Sequence, residues 1–325
     1  MKHKTTTLLA LATPVVLLFP EPGLSKRTGL FPNTVVDMIN VGSLTRVAST
    51  SCGQCHLNAH GGVTVTATVQ NRVIATGAST SLTLTGSSAI PGNAGGFCMD
   101  ATAGGFVAGT NTYTNAAGDA ITHMASTARS WTFSWKAPAT PGLAELYTAV
   151  NTANGDLRNT GDMFGFHGAN PNDTVSTPVR LYANATGCVA VGDSCSDGYG
   201  NFSVLGGASV PSVGNTGFKV EGFGLPPSAP LLFMLSLGKN LGGFDMAPLG
   251  APGCVLRTTL QIQITAATSG GSASRAEGSF SAPLPIPNDP NLRGIGFTVQ
   301  MGAIDNNSTR AFPLLVTNGL EVTIQ

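Results

Sequence analysis

Alternation of apolar and polar residues is the feature of this chain that most restricts its fold. In "GGVTVTATVQ" (61–70) valine or alanine occupies every second place from residue 63, with threonines between them. The segments "STSLTLTG" (79–86) and "RSWTFSWKAPA" (129–139) repeat the pattern, the second with aromatic residues on one face. A period of two places successive side chains on opposite faces of a strand. These segments therefore predict antiparallel strands with one buried face, as in a β-sandwich.

Composition agrees with an all-β chain and restricts its partners. The 325 residues suffice for two domains, and 42 glycines and 20 prolines disfavour long helices. Only 10% of the residues are charged, with 16 Lys+Arg against 16 Asp+Glu. No basic surface is available for nucleic acid, so no nucleic-acid partner is expected. Trp131 and Trp135 are expected in a core rather than on a cofactor platform.

The first 25 residues are typical of a secretory leader. Lys2 and Lys4 precede the apolar stretch "TTLLALATPVVLLF" (6–19), and Ser25 is a candidate last residue of the leader. The alternative is an uncleaved anchor. No later stretch is apolar for long enough to span a membrane. The mature protein is therefore expected to be secreted, periplasmic or at the cell surface, where its six cysteines would be oxidised or otherwise engaged.

Turn-forming residues divide the remaining chain. "GANPNDTVSTPV" (168–179) predicts a linker over 169–184, between a domain at 26–168 and a second β-rich module at 185–325. Neither half contains a phosphate-binding glycine loop, a nucleophile elbow or a metalloprotease helix motif. An enzyme is therefore not expected.

The stretch "TSCGQCHLNAH" (50–60) carries the chemistry-bearing motif. Cys52, Cys55 and His56 satisfy C-x-x-C-H, the attachment pattern of c-type haem. Its spacing lets two thiols reach the two vinyl groups of one porphyrin while the histidine faces the iron. The motif predicts haem c, with Cys52 and Cys55 as thioethers and His56 as an axial ligand. A zinc site that includes His60, and a disulfide, are the alternatives.

The run from "SCGQCH" to "YTAVNTANGD" resembles the bacterial choice-of-anchor V domain, which is related to the Reeler domain of eukaryotic surface proteins. Thr122-His123 and Trp135-Lys136-Ala137-Pro138 carry the resemblance, which spans about residues 50–165. It implies an immunoglobulin-like sandwich, and bacterial members often carry C-x-x-C-H at the front. The chain departs from the family pattern at Cys98 and at "MFGFHGANP" (163–171).

The second half, about residues 185–325, resembles a β-sandwich module of exported proteins from planctomycetes and similar bacteria. The resemblance implies a structural or surface-display role. It also places Cys195 and Cys254 in one module, which favours a disulfide between them. With that pairing, Cys98 and Cys188 either bridge the two domains or stay free thiols. A disulfide between Cys188 and Cys195 is the competing arrangement.

The second axial ligand has several candidates in the sequence. His123 is preferred because it matches the family's Thr-His. Its alternative role is that of a histidine bonded to backbone in a core or turn. The other candidates are His60, His167, Met99, Met124 and Met163.

The functional expectation follows from the motif. The sequence predicts an exported monohaem c-type cytochrome-like protein that transfers single electrons to and from an unknown exported redox partner. The alternative is a non-redox cell-surface, adhesion or structural module whose cysteines form disulfides.

Overall fold

The computed structural model describes residues 45–46, 60–156, 158, 160–238 and 242–325. Up to residue 184, the strands in these residues are β1 (Thr64–Val69), β2 (Val73–Ala75), β3 (Ser79–Ser87), β4 (Gly95–Ala101), β5 (Gly105–Val107), β6 (Thr112–Thr114), β7 (Ala120–His123), β8 (Ser130–Lys136), β9 (Gly142–Thr152), β10 (Met163–Phe166) and β11 (Val179–Asn184). One sheet has the order β1-β3-β8-β5. The other has the order β2-β11-β9-β4-β7-β6, with β10 also paired to β9. We call this pair of sheets the first sandwich.

The alternating segments form the first sandwich as predicted. Leu82, Leu84 and Phe133 point into the core between the sheets and are at most 2% exposed. On the outer face, Thr83 Oγ1 lies 3.0 Å from Thr132 Oγ1, so cross-strand hydroxyl pairs satisfy the polar side. The alternation therefore places apolar side chains in the core and polar side chains on the solvent-facing side of the same strands.

The second sandwich follows in the chain. Its strands are β12 (Cys188–Val191), β13 (Val204–Gly207), β14 (Lys219–Leu225), β15 (Pro230–Leu237), β16 (Phe244–Asp245), β17 (Val255–Leu256), β18 (Ile262–Ala267), β19 (Gly278–Pro283), β20 (Gly296–Ile304), β21 (Leu314–Val316) and β22 (Gly319–Thr323). The larger sheet has the order β12-β22-β20-β15-β18, with β21 also on β20. It faces the sheet β13-β14-β19, and β16 pairs with β17 as a separate ribbon. Short 3-10 turns occupy Ala247–Leu249, Ala273–Arg275 and Pro290–Leu292.

The fold class is confirmed as all-β with two sandwiches. Each has its own apolar core, one centred on the aromatic residues of β8 and the other on β15 and β20. In the part of the chain that the structure describes, no helix is both long and apolar enough to cross a membrane.

The end of the predicted linker is a strand instead. Residues 179–184 form β11, which pairs antiparallel with β9 and parallel with β2, and all six residues are buried. In "VRLYAN", Val179, Leu181 and Ala183 face the first core, while the residues between them face the second sandwich. The turn-rich sequence just before it, with two prolines, concealed this second alternating pattern. The chain therefore passes directly from β11 into the second sandwich.

Candidate functional site

The haem-attachment residues of the sequence motif lie outside the described residues. These residues are Cys52, Cys55 and His56. The predicted leader, with Ser25, also lies outside the described part of the chain. The described residues contain the other candidate, His123, together with the two further histidines considered as ligands. They also contain the two cysteines of the favoured disulfide.

His123 ends β7 and holds two strands together. Its Nδ1 accepts a hydrogen bond from the backbone N–H of Phe97 at 3.0 Å. The ring lies against Phe97 and Trp131, with 6.4 Å between its centroid and each of theirs. It also covers Gly96, where an added Cβ would come within 2.3 Å of the ring. One ring nitrogen of His123 therefore bonds the backbone of the neighbouring strand.

His60 and His167 also serve the fold of the first sandwich. His60 Nε2 lies 2.9 Å from the carbonyl oxygen of Asp173, and its ring contacts Phe164 edge-on. His167 Nδ1 lies 2.8 Å from the carbonyl oxygen of Thr177 and donates to it. Burial lowers the pKa of His167 to about 4, because the charged imidazolium is poorly solvated there.

The low pKa of His167 predicts acid sensitivity. The unfolded chain takes up a proton near pH 6.5 but the folded chain only near pH 4, so the unfolded state binds more protons between these values. Stability is fully present above about pH 6.5 and is lost as the pH falls, by up to about 1.4 kcal/mol per unit from this residue. Urea unfolding at several pH values checks this. His167→Asn should flatten the slope between pH 6.5 and 4, and an unchanged slope would contradict the assignment.

Cys195 and Cys254 form a disulfide, the pairing that the family resemblance favoured. Their sulfurs are 2.12 Å apart and their Cα atoms 4.8 Å apart. Both residues belong to the core of the second sandwich. Cys188 is a buried thiol, and burial raises its pKa to about 12. It therefore remains protonated and unreactive at neutral pH. Cys98 is buried in β4.

A buried ion pair marks the place where the two sandwiches meet. Arg180 of β11 stands opposite Glu145 of β9, and its Nε lies 3.2 Å from Glu145 Oε1. Arg180 Nη1 donates across the junction to the carbonyl oxygen of Arg275 at 3.2 Å. Only 4% of the Arg180 side chain is exposed, and burial lowers its pKa. One guanidinium thus joins β9, β11 and the second sandwich.

Further polar contacts extend from Glu145 over the outer face of the first sandwich. Tyr147 donates to Glu145 Oε2 at 2.8 Å, and burial together with Glu145 raises the pKa of Tyr147 to about 12. The Arg46 guanidinium lies 4.3 Å above the Tyr147 ring and donates to Asp100 Oδ2 at 2.7 Å. Thr45 also donates to Asp100. The segment at 45–46 is therefore fixed to the same polar network.

Tyr182 and Asn184 complete the contact between the sandwiches. The Tyr182 ring stacks on Phe223 with 6.2 Å between centroids, and its hydroxyl donates to Glu221 Oε2 at 3.2 Å. Asn184 Oδ1 accepts the backbone N–H of Gly207 at 2.9 Å. The ring also lies over Gly206, where an added Cβ would be 2.0 Å from it. We call these contacts of Arg180, Tyr182 and Asn184 the junction.

The contacts of the junction hold the two sandwiches in one relative arrangement. Its charges are paired, and its hydroxyl and amide groups donate to or accept from defined partners, which is the condition for a buried polar network to stabilise one arrangement. Sequence reasoning missed it because residues 179–184 were assigned to a linker. The available signal was the alternation in "VRLYAN", where polar or aromatic residues stand at every second position. The segment "LAELYTA" (143–149) shows the same alternation, with Glu145 and Tyr147 at the corresponding positions.

Comparison with known proteins gives distant similarities only. No family model matches the chain, and no curated protein matches it. The human F-spondin reeler domain is 17% identical over 39% of this chain and 91% of that chain, with a TM-score of 0.28. The Escherichia coli adhesin FdeC is 15% identical over 80% of this chain and 64% of that chain, with a TM-score of 0.20. The Yersinia pseudotuberculosis adhesin InvE is 13% identical over 82% of this chain and 60% of that chain, with a TM-score of 0.22.

The expectation of haem c as a cofactor is wrong, and with it the cytochrome assignment. Among the described residues, no three or more His, Cys, Asp or Glu side chains are grouped to hold a metal ion. Nδ1 of His123, the candidate second axial ligand, accepts from the Phe97 backbone N–H, and the ring packs on Gly96. The C-x-x-C-H pattern specifies the spacing of three residues but carries no information about a surrounding pocket.

Proposed function

We propose that this protein is a non-redox extracellular module that presents two β-sandwiches as one rigid unit at a cell surface. The junction is the observation that carries this proposal. A flexible pair of domains would be joined by exposed, polar linker residues with few contacts. Here β11 is buried on both faces and bonds both sandwiches. A module of this kind would act as an adhesion or structural spacer.

The disulfide supports the extracellular part of the proposal. Disulfides persist in oxidising compartments and are rare in the reducing cytosol. Cys195–Cys254 lies within the core of the second sandwich, where reductants have little access. The buried Cys188 thiol is correspondingly protected from exchange with it.

A glycine substitution tests rigidity at the junction. In Gly206→Ala the new Cβ would lie 2.0 Å from Tyr182 Cδ1, so the ring must leave its place between the sandwiches. We expect a larger radius of gyration in small-angle X-ray scattering and faster proteolysis between Asn184 and Cys188. Gly242→Ala is the matched control, because no atom of the described residues lies within 4 Å of a Cβ there.

A milder variant separates loss of the junction from general misfolding. Asn184→Ala removes the acceptor of the Gly207 N–H while leaving the cores intact. We expect it to unfold normally by circular dichroism but to show increased cleavage at the same place. Scattering and proteolysis identical to wild type in both junction variants would contradict the rigid-unit proposal.

A further inference from the structure

A cleft of about 110 Å³ opens between the two sandwiches, beside the junction. Asn71 and Arg72, from the turn between β1 and β2, form the wall on the first sandwich. Asp193 and Ser194, which follow β12, and Ser203, which precedes β13, form the wall on the second. A single water needs only roughly 10–15 Å³, so this cleft has room for a larger group.

Two buried serines line the cleft, and their hydroxyl groups find no partner in the described part of the chain. Ser194 is 6% exposed and Ser203 is 1% exposed, and the Oγ atom of each has no hydrogen-bond partner among the described residues. Leaving a buried polar group unsatisfied costs about 1–3 kcal/mol. Buried hydroxyls in native proteins are therefore nearly always bonded, to protein, water or ligand. Two such groups in one cleft point to an occupant that can donate to and accept from both.

The mouth of the cleft carries one charge of each sign. The Arg72 guanidinium lies 4.5 Å over the Phe202 ring, which holds it in place. Within the described part of the chain it makes no hydrogen bond or ion pair, so its N–H donors are available. Asp193 is exposed at the same mouth, and its carboxylate is near enough to favour the charged form of Arg72. Asn71 adds an exposed amide.

We propose that this cleft binds an uncharged, hydroxyl-rich ligand, namely one residue of a carbohydrate. A sugar hydroxyl both donates and accepts, as the two serine hydroxyls require. Asp193 accepts from such hydroxyls and Arg72 donates to them. An anion would meet the Asp193 carboxylate, a cation would meet Arg72, and an apolar group would leave both serines unsatisfied. Binding sites commonly lie at domain interfaces, as this cleft does. The proposal goes beyond the rigid-unit role but rests on it, because each sandwich supplies one wall of the cleft.

Saturation-transfer NMR on the full chain tests this with free glucose, galactose, mannose and N-acetylglucosamine as probes. Acetate and phosphate are tested in parallel as anions. We expect at least one of the sugars to bind saturably in the millimolar range and neither anion to compete. Ser203→Ala should weaken binding of that sugar about tenfold, since one hydrogen bond to a buried hydroxyl is lost. Asp193→Asn should also weaken it, and this exposed position does not contribute to a core.

Ser236→Ala is the matched control. Ser236 lies in β15 and is 0% exposed, and its Oγ also finds no partner among the residues that the structure describes, but it does not line the cleft. It should leave sugar binding unchanged. The proposal is overturned if no sugar saturates, if acetate or phosphate displaces the sugar, or if Ser236→Ala weakens binding as much as Ser203→Ala. Scattering and proteolysis of the junction variants are measured separately. A rigid unit that binds no sugar therefore overturns the carbohydrate proposal alone.

Discussion

Replacing Cys195 and Cys254 together by alanine is expected to lower the free energy of unfolding by roughly 4 kcal/mol. The disulfide joins residues 59 positions apart, so it removes much of the chain entropy of the unfolded state. It also lies in the folded core, where Cys195 Sγ accepts the Val316 N–H at 3.2 Å. The double variant loses both the covalent constraint and this contact.

Thermal unfolding with and without a reductant measures the effect. The wild type should lose stability when the reductant is present, while the double variant should respond little to it. Cys188→Ala is the control, because Cys188 is buried and forms no disulfide with another described cysteine. This variant keeps the Cys195–Cys254 disulfide, so the reductant should lower its unfolding midpoint by as much as it lowers that of the wild type. A double variant as stable as wild type would show that the disulfide contributes nothing to the fold.

Much of the fold could be predicted from local patterns. Alternation specifies which residues of β1, β3 and β8 face the core, and the structure buries Leu82, Leu84 and Trp131 accordingly. Strand order could not be read in the same way, because it depends on contacts between distant segments. The pairing of β11 with β2 and β9 is such a case. The Cys195–Cys254 pairing came from a family resemblance rather than from spacing.

The candidate site was harder to predict than the fold. Arg180 and Glu145 are 35 positions apart, and only strand pairing makes them neighbours in the buried junction. His123 shows the opposite problem. A histidine beside an aromatic strand is consistent with a ligand, but the imidazole can equally satisfy a backbone N–H, and tertiary geometry decides between them. A short motif such as C-x-x-C-H contains no information of that kind.

Trp135→Ala is the second substitution expected to have a large effect, lowering the free energy of unfolding by roughly 3–5 kcal/mol. Trp135 is fully buried in the first core. Its Nε1 donates to the carbonyl oxygen of Ala103 at 3.0 Å. The ring also lies on Gly104, where the φ angle is +75° and an added Cβ would be 2.7 Å from the ring. Alanine would leave a cavity that this rigid turn cannot fill.

Substitution by phenylalanine separates the contribution of the hydrogen bond from that of packing. Trp131 is equally suited as a control, since it is 2% exposed on the same strand but its Nε1 has no hydrogen-bond partner in the described part of the chain. Trp131→Phe removes a buried unsatisfied donor, whereas Trp135→Phe removes a satisfied one. Trp135→Phe should therefore be the more destabilising, by about 1–2 kcal/mol in chemical unfolding. If the two variants were equally destabilised, the Trp135–Ala103 hydrogen bond would contribute nothing measurable, and packing alone would account for the core.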